Sequence, residues 1–206
     1  MTPPDTASRL RQRAKALGVS VPPHAVERLV IYFDLLFRWN AKMNLTALTE
    51  TDAAIDRLLL EPVAAALELP HYADLMDLGS GGGSPAIPLA LALESPRLVM
   101  VESKIRKAAF LGEASRAVGL AAAVEPARFE DVANQGRYGG RMSLVSIRAV
   151  RVDRHILTIA KGFLKPGGKI ALFSPTPASP SALPDDLRVV HVAPLPGSSH
   201  LVVLGR

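Results

Sequence analysis

A glycine-rich stretch near the middle of the chain has the residue types of a ligand-binding turn. Residues Asp77 to Pro85 read DLGSGGGSP, with glycine at positions 79, 81 and 83. Glycine accepts positive φ angles and lets the backbone approach a ligand closely. Ser84 is expected to cap the helix that follows, and Pro85 suits the first position of that helix. The stretch therefore predicts a strand–turn–helix unit with a small-molecule site at the turn.

Glu102 lies nineteen residues after Gly83, at the end of the next apolar run. A carboxylate at that point of a second strand accepts hydrogen bonds from the two hydroxyls of a ribose, which indicates a nucleoside cofactor. A nicotinamide-dependent oxidoreductase is the less favoured alternative, because a dinucleotide site shows G-x-G-x-x-G and the chain has no Tyr-x-x-x-Lys pair. Glycine at every second position after an acidic residue instead resembles the class I S-adenosylmethionine methyltransferases.

The hydrophobic pattern predicts the elements that hold this turn. Helical patterns cover residues 7–17, 24–40 and 49–69, so residues 1–70 are expected to form a helical extension. From residue 71 to residue 206, short apolar runs alternate with helical stretches, which predicts parallel strands with crossover helices. No helix separates the last two strands, so the loop at 194–199 is expected to make a hairpin with one antiparallel strand. Strands are expected near residues 75–78, 98–102, 122–125, 143–147, 169–173, 187–193 and 200–204, and helices near 84–94, 104–118, 129–133 and 153–164.

Composition excludes several classes of protein. The 206 residues are 49% hydrophobic and 21% charged, as in a folded globular domain. The absence of cysteine excludes disulfides and cysteine nucleophiles, and five scattered histidines make a metal site unexpected. No apolar run reaches the roughly 18 residues of a membrane span, and no secretory signal is recognisable, so a cytoplasmic location is expected.

The charge balance favours a polyanionic partner. Lys and Arg number 24 against 19 Asp and Glu, a net charge of +5, and the whole excess lies beyond residue 73. A basic surface of this kind attracts nucleic acid. The candidate phosphate contacts are Arg9, Arg11, Arg13, Arg137, Arg141, Arg148, Arg151 and Arg154.

Three longer stretches resemble one family, the bacterial small-subunit rRNA guanine-N7 methyltransferases, also called the glucose-inhibited division protein B family. The stretches are residues 39–46 (WNAKMNLT), 77–90 (DLGSGGGSPAIPLA), and Glu102-Ser103 with 107–111 (KAAFL). Weaker similarities occur at residues 128–130, 148–150 and 165–168. The order and spacing of the motifs hold from about residue 25 to the end.

The resemblance implies a fold, a reaction and a set of residues. The fold would be a class I, Rossmann-like domain with a mostly parallel seven-stranded sheet, an antiparallel last strand and an N-terminal helical extension. The reaction would move a methyl group from S-adenosylmethionine to N7 of a guanine in 16S rRNA or the small ribosomal subunit, by a monomer without metal or membrane contact. The implied cofactor-binding residues are Gly79, Ser80, Gly81, Gly83, Ser84, Glu102, Phe129, Glu130 and Arg148. Arg148 would also have a positioning role near the methyl group, and Asn44 and Thr46 would lie on the substrate side.

Two departures from the family pattern keep alternatives in view. The family's histidine corresponds to Leu58, and its lysine after the fifth strand corresponds to Ser174. Guanine N7 carries an in-plane lone pair, so its methylation depends on alignment and requires no general base. The alternatives are a methyltransferase of the same lineage with a changed RNA or small-molecule substrate, with residues 174–186 as a lid, or an inactive module that binds S-adenosylmethionine or RNA.

Overall fold

The computed structural model describes residues 3–49, 51–94, 97–150, 152–176, 183–197 and 199–206. The helices are α1 (Pro3–Leu17), α2 (Pro23–Asn40), α3 (Thr51–Ile55), α4 (Glu61–Leu67), α5 (Ala86–Leu93), α6 (Ile105–Ala117), α7 (Phe129–Asn134) and α8 (Arg154–Phe163). The strands are β1 (Asp74–Leu78), β2 (Arg97–Val101), β3 (Ala122–Glu125), β4 (Met142–Arg148), β5 (Leu164–Ser174), β6 (Arg188–Pro194) and β7 (His200–Gly205). A π-helical turn at Asp56–Leu60 joins α3 to α4, where the sequence pattern predicts one regular helix.

The seven strands form one sheet in the order β3-β2-β1-β4-β5-β7-β6. Strand β7 runs antiparallel to both of its neighbours, and the other described pairings are parallel. The expected mostly parallel sheet with an antiparallel last strand is therefore confirmed. The strand order reverses between β1 and β4, and ligands bind at the carboxyl ends of the strands beside such a reversal.

Helices cover both faces of the sheet, which explains why β1 is buried along its whole length. One face packs against the helical extension together with α5 and α6, and Leu29, Phe33 and Leu36 of α2 belong to that core. The other face packs against α7 and α8, through Val132 and Leu157 among others. The division of the chain at residue 70 stays a prediction, since helices from both sides of it share one core.

The start of α5 differs from the expectation. This helix begins at Ala86, and Pro85 is the residue before it. The hydroxyl of Ser84 donates to the carbonyl oxygen of Leu58 at 2.7 Å, so the prediction that Ser84 caps α5 is wrong. Instead, Ser84 attaches the turn to the π-helical segment, which the local sequence does not reveal.

Two negative findings apply to the described residues. None of their helices is both long and apolar enough to cross a lipid bilayer. Within those same ranges, no three His, Asp or Glu side chains come together as a metal-binding group.

Gly83 and Gly162 make a matched pair for testing how the turn is packed. Gly83 has a φ of +89°, and an added Cβ would lie 2.9 Å from Ile87 Cδ1. We expect Gly83→Ala to lower the free energy of unfolding by about 1–3 kcal/mol, because backbone strain and overpacking add. A Cβ at Gly162, inside α8, would meet no described heavy atom within 4 Å, so Gly162→Ala should raise stability by up to about 1 kcal/mol. Urea denaturation measures both, and equal stability of the two variants would contradict the packing described.

Candidate functional site

The turn after β1 is held by the end of β2. The backbone amides of Gly79 and Ser80 donate to the carbonyl oxygen of Val101 at 2.9 and 3.0 Å. Gly79 has a φ of +75°, and a Cβ there would lie 2.8 Å from Val150 Cγ2. Glycine is required at this position, and the expected positive φ and strand–turn–helix unit are present at the sheet edge.

Glu102 follows β2 directly and is buried. Its Oε2 accepts from the amide of Gly81 at 2.9 Å, and its Oε1 accepts from the amide of Lys104 at 2.8 Å. Each carboxylate oxygen has a second acceptor position. The carboxylate is thus fixed in orientation and retains acceptor capacity for two ligand hydroxyls.

A cavity of about 510 Å³ lies between the turn and the helical extension. This volume lies within the usual range for sites that bind small ligands. From the sheet edge, the cavity is lined by Gly79, Ser80, Gly81, Gly82, Ser84, Glu102, Lys104, Lys107, Arg148 and Ala149. From the helical extension, it is lined by Tyr32, Leu36, Leu45, Thr46, Leu48, Arg57 and Leu58.

The structure brings together most of the predicted site residues. Those that line the cavity are Gly79, Ser80, Gly81, Ser84, Glu102, Arg148 and Thr46. Gly83 packs behind the turn, against Ile87 and Leu111. Asn44 lines a neighbouring hollow beside Lys104.

The other predicted residues lie elsewhere. Phe129 and Glu130 begin α7 and are not among the described residues that line the cavity, so their contact with an adenine ring stays a prediction. Arg154 donates to Leu183 O and Asp185, away from the cavity. Arg151 lies outside the described residues.

The helical extension forms the opposite wall through a few polar contacts. Asn40 Oδ1 accepts from the amides of Leu45 and Thr46 at 2.8 and 2.9 Å, which closes the loop after α2. The Tyr32 hydroxyl donates to Gly82 O at 2.7 Å. Burial raises the pKa of Tyr32, so the phenol keeps the proton that it donates. The Tyr32 contact ties α2 directly to the glycine turn, and the Asn40 contacts fix the loop that follows α2.

Asp77, near the end of β1, links the strand that leads into the turn to its neighbour β4. It is buried in β1, and Ser146 Oγ of β4 donates to its Oδ1 at 2.5 Å. Burial raises the pKa of Asp77, while the hydrogen bonds from Ser146 and Ser80 and the charge of Arg148 oppose that rise. Asp77 therefore joins β1 to β4 beneath the cavity.

A buried ion pair that the sequence interpretation missed joins the two walls. Glu61, at the start of α4, has no solvent exposure, and its Oε1 lies 3.5 Å from Nη1 of Arg148. Arg148 Nη1 also donates to Arg57 O at 2.9 Å, and the Arg57 side chain binds Glu61 Oε2. Among the described residues, Glu61 Oε1 has no hydrogen-bond partner, and its contact with Arg148 is an ion pair without a hydrogen bond.

The side chain of Arg148 is enclosed by protein, whereas side chains that bind the RNA backbone are usually exposed. It is buried, and its guanidinium carbon lies 5.9 Å from the centre of the Phe173 ring. Burial lowers the pKa of Arg148, and the carboxylate of Glu61 opposes this, so the guanidinium stays charged. This burial does not favour a contact with an RNA phosphate, and that interpretation of Arg148 stays a prediction. Its positioning role at the cavity stays a prediction.

Sequence comparison finds similar proteins over nearly the whole length of this chain. Residues 25–175 match the family model described as rRNA small subunit methyltransferase G. A protein of that name from Ralstonia nicotianae is 32% identical over 97% of this chain and 95% of its own length. Another from Stenotrophomonas maltophilia is 35% identical over 98% of this chain and 96% of its own length.

A solved structure supports the fold independently. The O-methyltransferase from Bacillus cereus, in complex with SAH, superposes with a TM-score of 0.61 at 15% identity, covering 85% of this chain and 90% of its own. At that identity the similarity concerns the fold alone. The family match covers the turn, Glu102, Glu61 and Arg148, and it confirms the resemblance seen in the sequence motifs. The chain belongs to the rRNA small subunit methyltransferase G family.

Proposed function

We propose that the protein transfers a methyl group from S-adenosylmethionine to N7 of a guanine in the RNA of the small ribosomal subunit. The observation that carries this proposal is the cavity at the end of β1, with a backbone-held Glu102 on one side and the helical extension on the other. Relatives over nearly the whole chain are named ribosomal RNA small subunit methyltransferase G. The Bacillus cereus structural neighbour holds SAH.

The residues of the cavity fit this cofactor. S-adenosylmethionine, when bound, supplies an electrophilic methyl group on a sulfonium sulfur. Glu102 would accept hydrogen bonds from the two ribose hydroxyls, because backbone amides already orient both of its carboxylate oxygens. The backbone of Gly79, Ser80 and Gly81 would form the floor, with no side chain between the cofactor and the turn.

The chain needs only to orient the guanine, since N7 already carries the attacking lone pair. Tyr32, Leu36 and Leu45 give one wall an apolar portion against which a base could pack. The methylated product is cationic, so a free positive charge beside it would oppose the reaction. Glu61, which Arg148 shares with Arg57, partly compensates the charge of Arg148 and so lessens that penalty when the guanidinium positions a reactant.

The mouth of the cavity favours RNA over a small apolar substrate. Arg57, Lys104 and Lys107 all line it, and cations of this kind bind phosphates. Leu58 also lines it, at the place of the family's histidine, so this chain has exchanged a polar group for an apolar one there. A changed substrate would follow from that exchange and is the second candidate function.

Replacing Glu102 tests the cofactor assignment. We expect Glu102→Gln to weaken S-adenosylmethionine binding by about 10- to 100-fold, because hydrogen bonds to a charged group are worth about 1.5–3 kcal/mol. Glu94→Gln is the matched control, since Glu94 pairs with His24 on the exposed end of α5. Isothermal titration calorimetry gives both affinities. Equal affinity of the two variants would remove Glu102 from the cofactor site.

The reaction itself is tested with radiolabelled S-adenosylmethionine and small ribosomal subunits from a strain that lacks this methylation. Nucleoside mass spectrometry should find the label in N7-methylguanosine. The Gly81→Asp variant should transfer no label, since a carboxylate would then stand against Glu102 at the turn. Label in another nucleoside, or none from protein shown to bind the cofactor, would contradict the proposed reaction.

A further inference from the structure

A second concave site lies outside the cofactor cavity, between the end of α2 and the start of α6. This rim recess has a volume of about 550 Å³ and is lined by Arg38, Trp39, Lys42, Met43, Arg106 and Ala109. The side chains of Trp39, Met43 and Ala109 make its interior largely apolar. The other three lining residues are cations, and all three are exposed. An apolar recess with a cationic rim suits a flat apolar group that carries negative charge.

A third hollow, of about 610 Å³, connects the rim recess to the cofactor cavity. It shares Lys42, Met43 and Arg106 with the rim recess, and Lys104 and Lys107 with the cofactor cavity. The three concave sites therefore follow one another along the surface. A chain molecule with one unit in the cofactor cavity would pass over the middle hollow and reach the rim recess.

We call the surface that runs through these three concave sites the track. Five of its basic side chains have no carboxylate partner among the described residues. Arg38, Lys42, Lys104, Arg106 and Lys107 make no ion pair with any carboxylate in the described part of the chain.

Several cations expected from the sequence to bind phosphate are paired instead. These pairs are Arg9 with Asp52, Arg13 with Asp56, Arg137 with Glu125 and Arg154 with Asp185. The carboxylates closest to the track in sequence are Glu102 and Glu113, and both are engaged elsewhere. Glu102 accepts from backbone amides, and Glu113 accepts from Trp39 Nε1. The track is therefore the more suitable surface for a polyanion.

Trp39 is held in one orientation before any ligand arrives. Its ring is half-buried and packs against Phe110 with centroids 5.6 Å apart, and its Nε1 lies 3.4 Å from Glu113 Oε1. Unpaired bases of RNA are bound by stacking on fixed aromatic side chains. A tryptophan on the wall of a cation-rimmed recess has the chemistry for that contact.

We propose that the rim recess binds an unpaired nucleotide of the RNA substrate, a neighbour of the methylated guanine. The base lies against Trp39 and Met43, and the connecting phosphates follow Lys42, Arg106 and the lysines of the middle hollow. The proposal rests on the proposed function for its choice of RNA as the partner. It adds a second binding site that holds the substrate while the guanine occupies the cofactor cavity.

Trp39 is the only tryptophan in the chain, so its fluorescence reports on the rim recess alone. Titration with protein-free 16S rRNA should quench this fluorescence, after correction for light absorbed by the RNA. A fully paired RNA duplex of similar length should quench it far less, because its bases stay stacked on one another. Equal quenching by both RNAs, or none by either, would overturn the proposal.

A plug variant tests the recess without removing charge. Ala109 is exposed on α6 and lines the recess, so Ala109→Phe should weaken rRNA binding and methyl transfer about tenfold while leaving cofactor affinity unchanged. Ala117→Phe, at an exposed position on the same helix, is the matched control. If Ala109→Phe binds and methylates RNA like Ala117→Phe, the recess is not a nucleotide site. If it weakens binding to assembled subunits but not to protein-free rRNA, the recess contacts a ribosomal protein, and the proposal is also overturned.

The cationic rim gives an independent readout. The logarithm of the RNA affinity falls as the logarithm of the salt concentration rises. Replacing Lys42 and Arg106 together by Gln should make this dependence less steep, by about 0.7–0.9 in slope for each lost phosphate contact. Arg188→Gln, on the exposed edge strand β6, should leave that slope unchanged. An unchanged slope in the double variant would contradict the phosphate contacts. If RNA quenches the fluorescence and Ala109→Phe weakens RNA binding, but no N7-methylguanosine forms, the nucleotide site is supported and the proposed reaction is contradicted.

Discussion

The buried pairing of Glu61 with Arg148 constrains how the helical extension lies on the sheet. Each charge would cost several kcal/mol of stability if it were left unpaired inside the protein. The start of α4 and the end of β4 must therefore stay together, and Arg57 strengthens the contact by binding Glu61 as well. The π-helical turn lies at this same place, and it also carries the Leu58 carbonyl that receives the Ser84 hydroxyl.

The cofactor cavity follows from that constraint. The sheet supplies the glycine turn and Glu102, as an open α/β sheet does at its carboxyl edge. The helical extension supplies the opposite wall, Tyr32 connects that wall to the turn, and Asn40 fixes the loop that completes the wall. A methyl transfer to an atom with its own lone pair requires alignment, and a cleft between two walls that contact each other can provide it. Arg38, Lys42 and Arg106 are exposed and are not among the residues that line the cavity, so they could hold a nucleic acid away from a cationic product.

Most of the fold could be predicted from the sequence, because the patterns that specify strands, helices and the glycine turn are local. The position of Glu102 beside the turn was equally accessible, since its distance from the turn along the chain is set by one crossover helix. The pairing of Glu61 with Arg148 was not, because it joins residues far apart in the chain through tertiary packing. A single carboxylate inside the apolar run at 58–67 was the one available signal of a buried charge that needs a partner. The ion pairs of Arg9, Arg13, Arg137 and Arg154 depend on tertiary placement in the same way, so the charge count alone could not show which cations are paired.

A double-mutant cycle tests most directly whether the two walls are joined as described. The free energy of unfolding would be measured for the wild type, Glu61→Gln, Arg148→Gln and the double variant. Glu61→Gln should lose about 3–5 kcal/mol, because it leaves the buried guanidinium of Arg148 without its carboxylate, and Arg148→Gln should lose less, because Arg57 still pairs with Glu61. The double variant should lose less than the sum, with a coupling energy of about 1–3 kcal/mol. Losses that add to within about 0.5 kcal/mol would show that the two side chains are independent, and would contradict the account of how the cleft is held together.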